Sequence, residues 1–171
     1  RDIAVRHNIR DVKSLKQLLV FLATNCSNLI SANKLKQYIN VKSTATILEY
    51  LNYFEESYLI QLVPKFSYSQ KVQLVNPRKI YFIDTGLLQS ITTSFSKDLG
   101  RKLENSVFWE LRRKGKNIYY FNENGKECDF VVFKQNQVDQ LIQVCHFLNS
   151  DNEQREINGL LDAMEFFKLD T

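Results

Sequence analysis

Residues 127–133 read ECDFVVF and residues 141–145 read LIQVC. Both runs are short and rich in apolar residues, which predicts two buried strands. Asp129 lies inside the first run, where a carboxylate is costly unless a hydrogen bond or an opposite charge compensates it. Gln143 and Cys145 lie two residues apart in the second run and would share one face of a strand. The two runs therefore predict a polar centre in an otherwise apolar sheet.

The segments before these runs predict a helix and a hairpin. Apolar residues recur at helical spacing from Leu99 to Leu111, and the predicted helix carries Glu104. Asn124-Gly125 predicts a two-residue turn between a strand over 117–121 and the strand that contains Asp129.

The segments after them predict one more strand and a last helix. The strand extends over 140–147, and Ser150 with Glu153 forms a capping box that would start the helix. Gly159 interrupts this helix at a cost of about 1 kcal/mol relative to Ala, which predicts close packing on the sheet. The predicted core stripe of the helix consists of Ile157, Leu160, Leu161, Met164 and Phe167. Helix, hairpin, strand and helix predict an α/β domain with a mixed sheet over residues 91–171, truncated at its C-terminal end.

The first 90 residues predict three helices followed by a hairpin. The predicted elements are helices over 14–24, from Ser31 to Ile39 and from Ser43 or Thr44 to about Phe54, and strands over 59–63, 72–75 and 79–83. This order is typical of a winged helix-turn-helix, in which the third helix enters a DNA groove. The sequence thus predicts an α+β chain of two domains, residues 1–90 and 91–171.

The predicted DNA-contacting residues come from the third helix and from the wing. They are Lys42, Ser43, Thr46, Asn52, Lys65, Lys71, Arg78 and Lys79. Lysine and arginine neutralise phosphates, and the polar side chains donate hydrogen bonds to them. Glu49, Glu55 and Glu56 would repel phosphate, so docking on a protein remains the alternative function of this half.

The charge distribution favours a polyanionic partner for the first half. Residues 1–97 hold 13 Lys/Arg and 6 Asp/Glu, whereas residues 98–171 hold 10 Lys/Arg and 13 Asp/Glu. The net charge of +4 therefore arises in the first half. No apolar run is long enough to cross a bilayer, and three scattered cysteines fit a reduced, cytoplasmic chain. The chain begins with Arg1 rather than Met, which predicts a piece of a longer protein.

The polar centre resembles the PD-(D/E)xK nuclease superfamily, whose core has Glu on a helix, Asp on one strand and Glu-x-Lys on the next. The resemblance implies a restriction-endonuclease-like fold, with Glu104, Asp129 and Gln143 at the catalytic positions and Mg²⁺ on Glu104 and Asp129. Gln143 and Cys145 stand where the superfamily has Glu and Lys. A thiol lacks the positive charge that assists cleavage, so the resemblance implies a degenerate site that binds without cutting.

Six stretches together resemble a second, larger family. RDIAVRHNIRD, STATILEYLNYFEESYLI, RKIYFIDTGL, LENSVFWEL, ECDFVV and LIQVC occur in this order. They resemble the C-terminal region of prokaryotic AAA-type ATPases, in which a winged helix precedes a PD-(D/E)xK-like domain of unknown function. The resemblance implies an upstream ATPase module as a partner within the same chain, with ATP and Mg²⁺ bound there. The present sequence contains no phosphate-binding loop, so we expect no ATP site in it.

Three functions follow as hypotheses. The first is a nucleic-acid-contacting or regulatory region with a nuclease-like domain that does not cut. The second is an active Mg²⁺-dependent nuclease that uses Glu104, Asp129 and Gln143. The third is a protein-interaction module. Structural interpretations stand beside them: Asp129 as a hydrogen-bonded strand residue, Glu104 as a solvated partner of Arg101, and Cys145 as a small buried hydrophobe.

Overall fold

The structure, a computed structural model, describes residues 2–91 and 99–169. Its elements are α1 (Asp2–Arg6), α2 (Val12–Thr24), β1 (Leu29–Ile30), α3 (Ala32–Tyr38), α4 (Thr44–Glu56), β2 (Ile60–Val63), α5 (Gln70–Val75), β3 (Arg78–Phe82), α6 (Thr85–Ile91), α7 (Leu99–Arg113), β4 (Asn117–Glu123), β5 (Lys126–Lys134), β6 (Gln137–Ile142) and α8 (Glu153–Phe167). The chain is α+β, with one three-stranded sheet in the order β1-β3-β2 and another in the order β4-β5-β6. No helix within these residues combines the length and the hydrophobicity that crossing a membrane requires.

The chain divides into two compact units. Unit 1 comprises Arg1–Leu62 with Pro77–Ser96, and unit 2 comprises Val63–Asn76 with Lys97–Thr171. The segment 63–76 thus interrupts unit 1 in sequence and belongs to unit 2.

Unit 1 packs its helices around one apolar core. Leu18, Leu22, Ile47 and Ile80 are fully buried, and the helical residues among them recur every three or four positions. Ser31 and Ser43 cap α3 and α4, because their side chains accept hydrogen bonds from backbone N–H groups three residues on. The predicted helices of the first half are therefore confirmed.

The strand predicted over 72–75 is wrong, because these residues form the last part of α5. Leu74 and Val75 are about 70% exposed, so no sheet buries the apolar residues that suggested a strand. Asn76 donates its side-chain N–H to the carbonyl of Val72, and Pro77 follows, which ends the helix.

Unit 2 contains an antiparallel sheet with β5 in the centre. β4 pairs with β5, and β5 pairs with β6, both antiparallel. The predicted mixed sheet is therefore corrected: parallel pairing appears as one isolated bridge between Lys65 and Tyr120. Asn124 and Gly125 both have positive φ, which confirms the predicted tight turn between β4 and β5.

The last strand is shorter than predicted and begins earlier. Gln135 and Asn136 adopt positive φ and turn the chain directly from β5 into β6, which ends at Ile142. Cys145 therefore does not share a strand face with Gln143.

Helix α8 lies on the sheet through its smallest residues. Gly159 and Ala163 are buried, and a Cβ at position 159 would overlap the backbone carbonyl oxygen of Glu127. The prediction that Gly159 allows close packing is confirmed. The predicted core stripe is wrong in part, since Ile157 and Leu161 are 45% and 49% exposed. The predicted capping box is also wrong, because the N-cap residue is Asn152 and not Ser150.

Candidate functional site

Asp129, within β5, and Gln143, directly after β6, are joined by two side chain–backbone hydrogen bonds. Oδ2 of Asp129 accepts from the N–H of Val144 at 2.9 Å, and Oε1 of Gln143 accepts from the N–H of Asp129 at 3.1 Å. The paired register of the two strands stops at Phe130 and Ile142. These side chains thus hydrogen-bond the two segments one residue beyond the last backbone pair. Asp129 and Gln143, which the sequence places at a polar centre, therefore lie together.

Glu156, which the sequence does not point to, extends this centre. Nε2 of Gln143 donates to Oε2 of Glu156 at 2.6 Å, and Arg155 donates to Oε1 of Glu156 at 2.5 Å. The Glu156 side chain is 11% exposed, so its charge depends on these donors. The sequence of α8 offers no signal that separates Glu156 from neighbouring carboxylates. We call Asp129, Gln143 and Glu156 the junction cluster.

Cys145 follows the junction cluster in an irregular segment. Its Sγ donates to the carbonyl of Phe147 at 3.2 Å and lies 3.7 Å from Nδ2 of Asn152, which donates to it. The thiol is half-buried and free, whereas Cys128 on β5 is fully buried. Cys145 thus places a thiol where the nuclease pattern has the lysine of Glu-x-Lys, and the guanidinium of Arg155 interacts electrostatically with it.

The implied metal site finds few ligands. Glu104 is half-buried on α7, and Asp129 already accepts a backbone hydrogen bond. Within residues 2–91 and 99–169, no three His, Cys, Asp or Glu side chains are grouped so as to hold a metal ion. Mg²⁺ prefers near-octahedral oxygen coordination, which this donor set does not by itself provide. A Mg²⁺ ion on Glu104 and Asp129 stays a prediction, and no reaction step is derived from it.

The second candidate surface is basic and lies on α3 and at the start of α4. Lys34, Lys36 and Lys42 are exposed and form no ion pair with any residue that the structure describes. We call these three residues the lysine surface. Tyr38 on the same helix is 66% exposed and stacks on Phe21 with ring centroids 5.2 Å apart.

Three of the residues predicted to contact DNA from the third helix form hydrogen bonds within it: Ser43 and Thr46 at its start and Asn52 near its end. Oγ of Ser43 accepts from the N–H of Thr46 at 3.2 Å, and their hydroxyl oxygens lie 3.2 Å apart. Asn52 donates to Oε1 of Glu56 at 2.8 Å, one turn further along. The amide of Asn52 therefore already binds a carboxylate on the exposed face of α4.

The residues predicted for the wing are divided between the units. Lys65 and Lys71 belong to unit 2, and Arg78 and Lys79 belong to β3 of unit 1. Nζ of Lys65 lies 2.9 Å from Oε1 of Glu123, and the Lys65 side chain is only 14% exposed. Lys71 is exposed on α5, so within unit 2 it is the more accessible of the two.

Arg78 lies near a half-buried carboxylate in unit 1. Oε1 of Glu55 accepts from the N–H of Leu62 at 2.9 Å and from Nε2 of Gln61 at 3.0 Å. Burial raises the pKa of Glu55 above its ordinary value, and the Leu62 N–H and the charge of Arg78 oppose this shift. Arg78 thus has an electrostatic role inside unit 1 besides any external one.

The net charge of the protein resides in unit 1. Its residues include ten Lys/Arg and six Asp/Glu, while unit 2 has thirteen of each. Unit 1 therefore carries +4 and unit 2 is neutral, a smaller difference in charge than the +7 and −3 of residues 1–97 and 98–171.

Comparison with known proteins gives one family and two relatives. The family described as Domain of unknown function (DUF8612) matches residues 1–98, more than half of the chain. An uncharacterized protein of Methanocaldococcus jannaschii is 41% identical over 178 residues, which cover 99% of this chain and 39% of that protein. An uncharacterized protein of Haemophilus influenzae is 27% identical over 171 residues, 98% of this chain and 42% of that protein. The chain thus spans about two fifths of the length of these relatives. No solved structure matches significantly.

These matches correct the family resemblance inferred from the sequence. The family found over residues 1–98 is a domain of unknown function, and neither relative is described as an ATPase. The assignment to the C-terminal region of AAA-type ATPases is therefore wrong. The short stretches that suggested it are largely the apolar periodicities and caps of common helices and strands, which unrelated families share.

Proposed function

This chain belongs to the DUF8612 family, and we propose that it contacts duplex DNA through the phosphates without cutting it. The observation that carries the proposal is the lysine surface beside the first turn of α4. Exposed lysines without internal partners are available to phosphate, because no intramolecular ion pair must break first.

The order of elements in unit 1 supports a winged-helix arrangement. Within unit 1 the order is α2, β1, α3, α4, β2 and β3, with α5 of unit 2 inserted between β2 and β3, and the three strands form one sheet. In a winged helix the start of the third helix meets the DNA. Here that position is the first turn of α4, next to Lys42 and capped by Ser43. Backbone N–H groups at a helix start also favour phosphate.

The contacts proposed for this surface are to the DNA backbone rather than to base edges. Leu48 and Glu49 are exposed on α4, and Asn52 is bound to Glu56, so this face offers few free donors for bases. Phosphate contacts alone give salt-dependent binding with little sequence preference.

The junction cluster supports the non-cutting part of the proposal. Oδ2 of Asp129 and Oε1 of Gln143 each accept a backbone N–H, and Glu156 is held by Gln143 and Arg155. A restriction-endonuclease-like ancestry is compatible with a sheet flanked by α7 and α8. The hydrogen bonds of Asp129 and Gln143 support a structural role for these two residues at positions where a nuclease would bind its metal.

Binding is tested by fluorescence anisotropy of a labelled duplex of about 30 base pairs, roughly three helical turns, titrated with the whole chain at several salt concentrations. The variant pair Lys34→Gln with Lys42→Gln removes two charges from the lysine surface. We expect weaker binding and a salt slope smaller by about 1.8, since each phosphate contact contributes about 0.9. Arg112→Gln with Lys134→Gln removes two exposed charges from unit 2 and is the matched control.

Each outcome decides one part of the proposal. Absence of binding at low salt, or equal losses in the two double variants, would refute the lysine surface as the DNA contact. Cleavage of the duplex in Mg²⁺ or Mn²⁺ that disappears in Asp129→Asn would instead support the active nuclease.

A specific observation favours docking on a protein as the second candidate function. The exposed face of α4 combines Leu48, 57% exposed, with the carboxylates of Glu49 and Glu56. An exposed apolar residue beside two acidic residues suits a basic protein surface better than a phosphate backbone. Leu48→Ala would leave DNA binding unchanged under the leading proposal, and it would weaken a partner complex under this one.

A further inference from the structure

The sheet of unit 2 has one covered edge and one open edge. On the β4 side, the N–H of Phe66 donates to the carbonyl of Tyr120 at 2.7 Å, and the N–H of Tyr120 donates to the carbonyl of Pro64 at 3.2 Å. On the other side, no strand within the described residues pairs with β6 away from β5. β6 thus presents unpaired backbone groups, which proteins usually protect with lysine, proline or a covering element.

β6 lacks these protections. Residues 137–142 contain no Lys, Arg or Pro, and the one charged residue is Asp139. Nζ of Lys116 lies 2.6 Å from Oδ2 of Asp139, and its hydrogen bond lowers the pKa of Asp139 below the ordinary value. Because Lys116 neutralises this carboxylate within the same chain, the charge of Asp139 does little to repel an incoming strand.

The flank of α8 that contains Leu160 is apolar. Leu160 packs on the core cluster of unit 2 together with Val138 and Leu141 of β6. Ile157 and Leu161, one turn apart on the same flank, are 45% and 49% exposed. Apolar side chains on a helix that rests on its own sheet are normally turned inward, so this exposed pair indicates a surface that another element covers.

The opposite flank of α8 is polar. Lys126 and Asp162 form an ion pair at 2.6 Å there, and Asn158 and Glu165 are exposed. The contrast between the flanks shows that α8 has a second apolar side in addition to the one that Gly159 and Ala163 press on the sheet. We call Gln140, Ile157 and Leu161, with the partly buried Val138 and Leu141, the edge surface.

We propose that the edge surface binds the edge surface of a second copy of this chain, so that the two β6 strands pair antiparallel in a symmetric dimer. A two-fold interface must be self-complementary, and this surface meets the requirement because it contains no unneutralised charge. Unit 2 as a whole has thirteen basic and thirteen acidic residues. The two copies of unit 2 therefore meet without net repulsion between them.

The test is the molar mass of the whole chain in solution, measured by light scattering and sedimentation velocity over a wide concentration range. We expect a concentration-dependent dimer. Gln140→Lys places like charges on the two paired strands, and Leu161→Lys places a charge in the apolar seam. We expect each to raise the dimer Kd at least about tenfold, which corresponds to 1.4 kcal/mol.

Controls separate the interface from the fold. Asn158→Lys adds the same charge to the polar flank of α8 and is expected to leave the Kd unchanged. An equimolar mixture of Gln140→Lys and Gln140→Glu is expected to form a heterodimer, because opposite charges replace like ones. Circular dichroism of each variant monitors folding.

A wild-type chain that stays monomeric at the highest concentration would overturn the proposal. A dimer that Gln140→Lys and Leu161→Lys leave intact would also overturn it, since another surface would then hold the copies together. DNA binding does not enter either measurement, so the dimer and the proposed function fail or succeed independently.

Discussion

Because Gly159 contacts β5 closely, we expect Gly159→Ala to destabilise the protein, although Gly→Ala within a helix usually stabilises. In an open helix, Gly→Ala stabilises by about 1 kcal/mol, because alanine has the higher helix propensity. At position 159 the new Cβ would overlap the carbonyl oxygen of Glu127 and would lie 3.4 Å from its carbonyl carbon. The obstacle is backbone in the central strand, so it cannot rotate away as a flexible side chain would.

The expected cost follows from what α8 must do. To admit the methyl group the helix has to rise from the sheet, which loosens the burial of Ala163 beside Cys128 and Val131. Overpacking of this kind costs about 1–3 kcal/mol, and lost burial adds to it. After subtraction of the propensity gain, we expect Gly159→Ala to lower the free energy of unfolding by about 2 kcal/mol.

The assay is thermal and urea unfolding followed by circular dichroism. A loss of about 2 kcal/mol corresponds to a Tm lower by roughly 4–8 °C for a chain of this size. Asn158→Ala, the neighbouring exposed position of the same helix, is the control and should change stability by less than about 0.5 kcal/mol. A Tm for Gly159→Ala equal to or above that of the wild type would refute the close approach of α8 to Glu127.

Four further predictions concern single groups. Because burial raises the pKa of Glu55, the folded form prefers the neutral acid, and stability is lost as pH rises from the ordinary pKa of 4.5 through the folded pKa. The urea midpoint of Glu55→Gln should therefore rise relative to that of the wild type between pH 4 and pH 7. An equal difference between the two proteins at both pH values would contradict this. Glu55→Ala leaves the N–H of Leu62 without its acceptor and should cost about 1–3 kcal/mol at pH 7 by the same assay, whereas a neutral effect would argue against that bond. Gly125→Ala meets no atom within 4 Å, yet φ is +82°, so it should cost about 1 kcal/mol through the backbone alone, and no change in Tm would count against the turn. Gln143→Ala should speed amide hydrogen exchange at Asp129, and protection equal to wild type would mean that this bond is not populated.

Local signals predicted the parts of the fold that local chemistry decides. Ser31 and Ser43 cap helices because a hydroxyl three residues before a free N–H satisfies it wherever the helix lies. Asn124-Gly125 makes its turn because both residues tolerate positive φ. These caps and this turn depend on residues that are close in sequence, so the sequence is sufficient to predict them.

The misplaced features depend on neighbours in space. Val72 and Val75 favour a strand, but no strand within the described residues pairs with them, and they form the last part of α5. The stripe from Ile157 to Phe167 has helical spacing, yet only part of it is buried: Leu160 and Phe167 pack on the core cluster beside Ala163, whereas Ile157 and Leu161 are exposed. Hydrophobic periodicity identifies an apolar face but does not say which of two apolar faces meets the core.

The sequence predicts two of the three residues of the junction cluster. Asp129 was singled out because a carboxylate in an apolar strand needs a partner, and Val144 supplies it. Glu156 could not be foreseen, because its partner Gln143 lies 13 residues away and helix starts commonly carry acidic residues. Position in the sequence suggested chemistry at these residues, whereas their hydrogen bonds indicate a structural use.

The segment 63–76 makes the two units interleave along the chain. Phe66 from this segment stacks on Phe133 at 5.0 Å and meets Phe167 at 4.8 Å, all within unit 2. The polypeptide therefore passes from one unit to the other three times, and neither unit is one uninterrupted stretch of sequence. A single genetic crossover cannot transplant either unit intact into another protein, since it would leave Phe66 or its aromatic partners behind. Recombination therefore keeps both units intact when it exchanges them together.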